Sequence, residues 1–148
     1  ASIDRLPEHA GLSHVVEDRR VRSVVLPIEG GGLWSTMYGY IALEADLSTV
    51  TGITFYEHGE TPGLGSEIGD VDWQSRWIGR RPYDERWEPV IEVIKGPAGP
   101  PSESPYEVDG LAGATLTGRG VTEAVRFWLG PAGFGPYLEW YRSEAGIP

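Results

Sequence analysis

Two threonines close the stretch Asp109-Gly-Leu-Ala-Gly-Ala-Thr-Leu-Thr117. Gly110, Ala112, Gly113 and Ala114 carry nothing beyond Cβ, so a ligand can approach this backbone closely. Val121, Ala124, Val125 and Trp128 follow at i, i+3, i+4 and i+7, which is the apolar face of a helix. A helix start presents free N–H groups and the positive end of its dipole, a setting that suits a phosphate. Hydroxyls, small residues and a helix start in this order admit a phosphate cradle. The plainer alternative is a capped helix, with Thr117 as N-cap and the glycines as loop.

Other chemistry is thinly supported. His58 and Glu60 have the spacing of an acid–base pair on one face of a strand, but no nucleophile motif accompanies them. Glu29-Gly30-Gly31-Gly32 reads as a flexible turn and lacks the Lys-Ser/Thr of a P-loop. His9, His14 and Glu17 fit no metal spacing, and the chain has no cysteine for a disulfide or thiolate site. Arg76, Arg80, Arg81 and Arg86, interleaved with Asp84 and Glu85, read as a solvated face. Lys95, the only lysine, stands between a strand and Gly96, either beside a phosphate or simply exposed.

These residues need a scaffold, and 148 residues make one compact domain with room for a core. A net charge of −10 argues against a nucleic-acid or anionic-membrane partner. No apolar run approaches the ~20 residues of a membrane span. With 21 Gly and 12 Pro, many turns are expected and a long helical bundle is not. Residues 1–20 read as a polar lead-in, a short helix or an extended arm. Val21–Ile28 reads as a strand that Pro27 ends or places at an edge. Tyr38–Leu47 and Thr51–Tyr56 alternate as a β-hairpin. A short helix carries Trp73 and Trp77 onto the sheet. Val90–Ile94 and Tyr106–Val108 are further strands around a Pro/Gly loop. Pro136–Glu144 is a final helix. The fold class is α+β, a small, twisted, mainly antiparallel sheet with flanking helices.

A family resemblance adds to this. Asp109-x-x-Ala112-Gly113-Ala114-Thr115 resembles the flavinylation motif D-x-x-[S/T]-G-A-T of FMN-binding domains in bacterial redox complexes. Gly32–Tyr40, His58–Gly65 and Val93–Gly96 extend the likeness, in this order, to the C-subunit family of sodium-translocating NADH:quinone oxidoreductases. The match runs from about Pro27 to about Leu129. One position departs: Ala112 stands where the motif has Ser or Thr, so modification is less efficient or that hydroxyl is dispensable.

The resemblance implies an FMN-binding domain over 21–148, with FMN joined through its phosphate to Thr115. It implies that a flavin transferase, using FAD, recognises Asp109, Gly113, Ala114 and Thr115. It also implies a cofactor site formed by Leu33, Trp34, Glu60, Thr61, Gly63, Leu64, Gly65, Lys95, Gly113, Ala114, Leu116 and Thr117. In that site Trp34, Leu64 and Leu116 pack on the ring, backbone amides of Gly63 to Gly65 meet its oxygens or the phosphate, and Thr117 caps the helix. The domain would relay electrons within a quinone-reducing, sodium-pumping complex, alongside the other subunits, with no catalytic residue of its own. Membrane contact would come only through an N-terminal helix ahead of residue 1, holding the domain on the periplasmic side of the bacterial inner membrane. The alternatives are the flavin domain of a related electron-transport complex, or a non-covalent FMN-binding or docking module.

Overall fold

The computed structural model of the protein describes residues 2–5 and 11–148. Strands β1 (Ser2–Arg5), β2 (Ser13–Glu17), β3 (Arg20–Gly31), β4 (Thr36–Glu44) and β5 (Val50–Glu57) form an antiparallel sheet in chain order. The sheet thus reaches back into the segment before residue 21 that the sequence offers as a lead-in. Asp18 and Arg19, at φ 52° and 64°, make the two-residue turn that folds β2 onto β3, with Glu17 opposite Arg20. Of the two histidines considered for a metal in that segment, His9 lies outside the described residues. His14 pairs its Nε2 with the Tyr137 hydroxyl at 2.9 Å.

Period-two alternation decides which face is buried. Val24, Leu26 and Ile28 of β3, Met37, Ile41 and Leu43 of β4, and Ile53 and Phe55 of β5 point into the core. Tyr40 and Glu44 point out, as the alternation predicts. Pro27 does not end β3. It sits opposite Tyr40 of β4, while the pairing with β2 stops at Val25 opposite Ser13. Pro27 therefore lies at a local edge, where no ladder hydrogen bond to β2 is required of it.

A 3-10 turn (Gly65–Gly69) and helix α1 (Val71–Ser75) follow the sheet. Trp73 and Trp77 are buried edge to face, with ring centroids 5.9 Å apart. The strand expected over 90–94 is shorter: β6 (Glu92–Val93) pairs in parallel with β7 (Glu107–Val108). That pairing brings the chain at Lys95 back beside Asp109, through Gly110 N–H donating to Gly96 O at 2.8 Å. Helices α2 (Thr115–Leu129) and α3 (Gly135–Ala145) complete the fold. Among the described residues no helix is long and apolar enough to cross a membrane.

Arg80 corrects the expected solvated face. It is 4% exposed and donates to the carbonyls of Arg76, Gly99 and Ser104 at 2.9, 2.6 and 2.8 Å. Its planar fork can satisfy several carbonyls at once, and this lets it replace water inside the loop 96–105.

Gly30 and Gly31 are not a flexible turn either, because they belong to β3. Their role is close approach: a Cβ on Gly30 would lie 2.6 Å from Ala124 Cβ, and one on Gly120 would lie 2.4 Å from Gly31 O. Helix α2 can therefore lie directly on β3. Gly120→Ala should lower stability by about 1–3 kcal/mol through overpacking. Gly31→Ala, with nothing within 4 Å of its Cβ position, should change little. Urea unfolding of both variants is the check.

Tyr83 is buried and donates to the Leu129 carbonyl at 2.7 Å; burial pushes its pKa well above the ordinary 10.0. Below pH 10 the stabilisation from its protonated hydroxyl is complete. As pH rises further the unfolded chain's tyrosine ionises first and that contribution is lost. Wild-type stability should fall above pH 10, with Tyr83 adding up to about 1.4 kcal/mol per pH unit to the slope. Tyr83→Phe should show a shallower alkaline slope in urea midpoints measured across pH 9–11.

Candidate functional site

Helix α2 begins at Thr115, three residues earlier than a Thr117 cap would require. Its N-cap is Ala114, which makes no side-chain capping bond. The first-turn N–H groups, which have no intrahelical acceptor, stay free of a side-chain cap. Gly113, at φ 65°, turns the chain into this start, and a Cβ there would lie 3.0 Å from Leu64 Cδ2.

The two threonines differ sharply. Thr115 is exposed. Thr117 is 2% exposed, and its hydroxyl donates to Glu60 Oε1 at 2.6 Å. As the third residue of the helix it stands past the N-cap position, and its hydroxyl proton goes to a carboxylate.

Glu60 is 5% exposed, and its two oxygens also accept the Leu33 N–H at 3.1 and 3.2 Å. Its own N–H donates to His58 Nδ1 at 3.1 Å, so that ring nitrogen is an acceptor. The pair anticipated from spacing is thus a local turn around a carboxylate aimed inward. Trp34 is 73% exposed and donates its indole N–H to Thr61 Oγ1 at 3.2 Å. Leu33, Leu64 and Leu116 are also exposed, making an apolar rim beside Thr115.

Of the amides of residues 63–65 expected to meet a ligand, those of Gly63 and Leu64 are used within the turn. Gly63 N–H donates to Ser66 Oγ at 3.2 Å, and Leu64 N–H to Thr61 O at 3.0 Å. The turn leading into residues 65–69 uses these donors to close itself.

Thr115 and Ala114 line two open clefts. One, of about 260 Å³, is bounded by Leu33, Thr61, Leu64, Gly65, Gly113, Leu116 and Thr117. The other, of about 330 Å³, is bounded by residues that include Val93, Lys95, Leu111, Arg119 and Thr122. The site residues expected from the sequence are therefore divided, with Lys95 across from the apolar group. Arg119 is absent from the expected set, although its position one helical turn after Thr115 is legible in the sequence. Among the described residues neither Lys95 nor Arg119 takes part in an ion pair, so both remain available to an anion.

Asp109 lines neither cleft. It is 9% exposed, with Oδ2 at 2.6 Å from Arg76 Nη1 and Oδ1 at 3.7 Å from Arg80 Nη2. Its carbonyl accepts the Trp73 indole N–H at 2.9 Å. Ala112 is exposed, so the hydroxyl that the family motif carries at this position would face solvent.

The arrangement suits a phosphorylated ligand with a flat apolar part. It offers an exposed hydroxyl at an uncapped helix start, two cations that form no ion pair among the described residues on one side and a leucine rim on the other. Comparison with known proteins agrees. Residues 32–130, which include the loop at Leu33, the segment around Glu60 and the threonine turn, match the FMN-binding domain family. The C-subunit of the Na(+)-translocating NADH-quinone reductase of Yersinia pestis is 51% identical over 126 residues, 85% of this chain and 47% of that protein. Its Pseudomonas aeruginosa counterpart is 45% identical, over 93% of this chain and 53% of that protein. The chain thus spans about half the length of the curated relatives it matches. The crystal structure of Shewanella oneidensis NqrC superposes with a TM-score of 0.84 at 39% identity, covering 89% of this chain and 60% of that one. The reductase's C-subunit from Parabacteroides distasonis superposes with a TM-score of 0.69 at 27% identity, covering 88% and 60%. With its threonine turn, leucine rim and two cations all within or beside the matched interval, this chain belongs to the FMN-binding domain family and is similar over most of its length to the C-subunits of Na(+)-translocating NADH-quinone reductases.

Proposed function

We propose that this domain holds FMN covalently, as a phosphoester of Thr115 Oγ, and relays electrons within a sodium-translocating NADH-quinone reductase. The observation that carries this reading is the contrast between the two hydroxyls. Thr115 is exposed, whereas Thr117 is buried and its proton is committed to Glu60. Only Thr115 offers an oxygen that another enzyme can reach.

Thr115 Oγ would gain its bond to the flavin phosphorus from FAD on a flavin transferase. The pyrophosphate P–O bond breaks, AMP leaves, and the threonine proton passes to a base of the transferase or to solvent. Lys95 and Arg119, with the free N–H groups of α2, would hold the resulting anionic phosphoester. Leu33, Leu64 and Leu116 would cover part of the ring, with Trp34 at the rim through its bond to Thr61. Gly65 would keep the floor of that cleft open, since a Cβ there would lie 2.6 Å from Thr117 Oγ1. When bound, FMN supplies reversible electron uptake and release; the protein supplies position, charge and exclusion of water.

On this reading the domain is a carrier on the periplasmic side of the bacterial inner membrane. NADH oxidation and quinone reduction take place on other subunits of the complex. A covalent link suits a relay, because it prevents loss of the flavin between electron arrivals.

Intact-mass analysis and peptide mapping after co-expression with a flavin transferase test the proposal. The expected result is a gain of one FMN minus water on Thr115 that survives denaturation. Thr115→Val should abolish it, and Thr117→Val should retain it. The mass on Thr117, or flavin released on denaturation, would overturn the assignment.

A further inference from the structure

We infer that Asp109 is a positioning residue. Held by Arg76 and Arg80, its carboxylate fixes the turn 109–114 so that Thr115 stands in one place between the two clefts. A transferase then meets the shape of that turn and not the carboxylate. This rests on the reading of Thr115 as the attachment point.

The carboxylate is internally committed. Arg76 Nη1 lies 2.6 Å from Oδ2 and Arg80 Nη2 lies 3.7 Å from Oδ1. Arg80 is buried, and its other donors are used on the carbonyls of Arg76, Gly99 and Ser104. Among the described residues Asp109 is the only acid in ion-pair range of Arg80. Burying a guanidinium without a counter-charge is strongly unfavourable, so the aspartate also stabilises the fold around Arg80.

The backbone at Asp109 is equally constrained. Its carbonyl accepts the Trp73 indole N–H, and the next N–H, that of Gly110, donates to Gly96 O. A Cβ on Gly110 would lie 2.3 Å from Ile94 O, so the turn leaves β7 pressed against β6. Six residues after Asp109, Thr115 opens α2, and Thr117 ties that end to Glu60. Both ends of the turn therefore hang from the segment 60–80, with Ala112, Gly113 and Thr115 exposed between them. An approaching protein can touch those three directly. The Asp109 side chain is only 12% exposed and lies against Arg76, whose side chain is half exposed.

Arg76→Ala separates the two possibilities, because it removes the closer of the carboxylate's two partners without removing the carboxylate. Two measurements are made on apo protein that retains its near-ultraviolet circular dichroism. The first is hydrogen exchange at Gly110 and Ala114, whose N–H groups are bonded to Gly96 O and Leu111 O. The second is the rate of Thr115 modification by a flavin transferase with FAD. Arg76→Ala and Asp109→Asn should each speed exchange at both amides at least tenfold, with amides in the middle of α2 unchanged, and each should slow modification at least tenfold. Arg76→Lys should recover most of both, and the double variant should be no slower than Asp109→Asn alone.

Wild-type exchange in Arg76→Ala would overturn the inference. So would modification at or above the wild-type rate in Arg76→Ala while Asp109→Asn is inert, which would mean that the carboxylate is read directly. If wild-type protein is not modified on Thr115, the attachment reading fails, and the exchange result alone decides whether Asp109 positions the turn.

Discussion

A carboxylate that is 5% exposed has to find its hydrogen bonds inside the protein, and Glu60 finds them in two distant segments. The Leu33 N–H comes from the connection between β3 and β4, and the Thr117 hydroxyl from the first turn of α2. One charge thereby joins three stretches that the chain keeps far apart. Missing side chains make room for it: a Cβ on Gly32 would lie 2.5 Å from Oε2, and one on Gly65 would lie 2.6 Å from Thr117 Oγ1. Leaving any of these groups unpaired would cost about 1–3 kcal/mol or more, a large share of a small domain's stability.

From that constraint the site acquires its division of labour. The hydroxyl that serves the fold is withdrawn from solvent, and the one two residues earlier is left outside. The same helix start that holds Thr117 inward presents Thr115 and the free N–H groups outward. A protein with a net charge of −10 nevertheless sets Lys95 and Arg119 along one of the clefts flanking this hydroxyl. Local charge, and not the total, determines what an anionic group meets there.

The second anchor is the ion pair of Asp109 with Arg76 and Arg80. It works through the same physics at the other end of the turn: a buried charge must be matched, and matching it fixes the backbone. Close packing supplies the rest of the rigidity. Gly30 and Gly120 let α2 lie on β3 at a separation that no pair of side chains would allow. The helix that begins at the threonine is thus held by its glycine contact as well as by Glu60.

Much of this is legible along the chain. The alternation of β4 and β5, the apolar face of α2, the buried tryptophan pair and the final helix all follow local periodicity, and each stands in the structure. The turn residues and the spacing from Asp109 to Thr115 single out the stretch where an exposed hydroxyl meets a free helix start. The errors have a common form. Arg80 reads as a surface charge, Gly30 and Gly31 as a flexible turn, and Thr117 as a cap, because a local pattern weighs each only against its neighbours in sequence. In the fold each answers to a distant partner: Thr117 to Glu60 at a separation of 57 residues, Arg80 to Ser104 at 24, and Gly30 and Gly31 to Ala124 and Gly120 of α2. The sequence by itself determined most of the elements after residue 20 and where a reactive hydroxyl could stand, but not the strands before them. Only the tertiary structure decided which hydroxyl is free and which charges are internal, since burial and pairing are properties of contacts that no local pattern encodes.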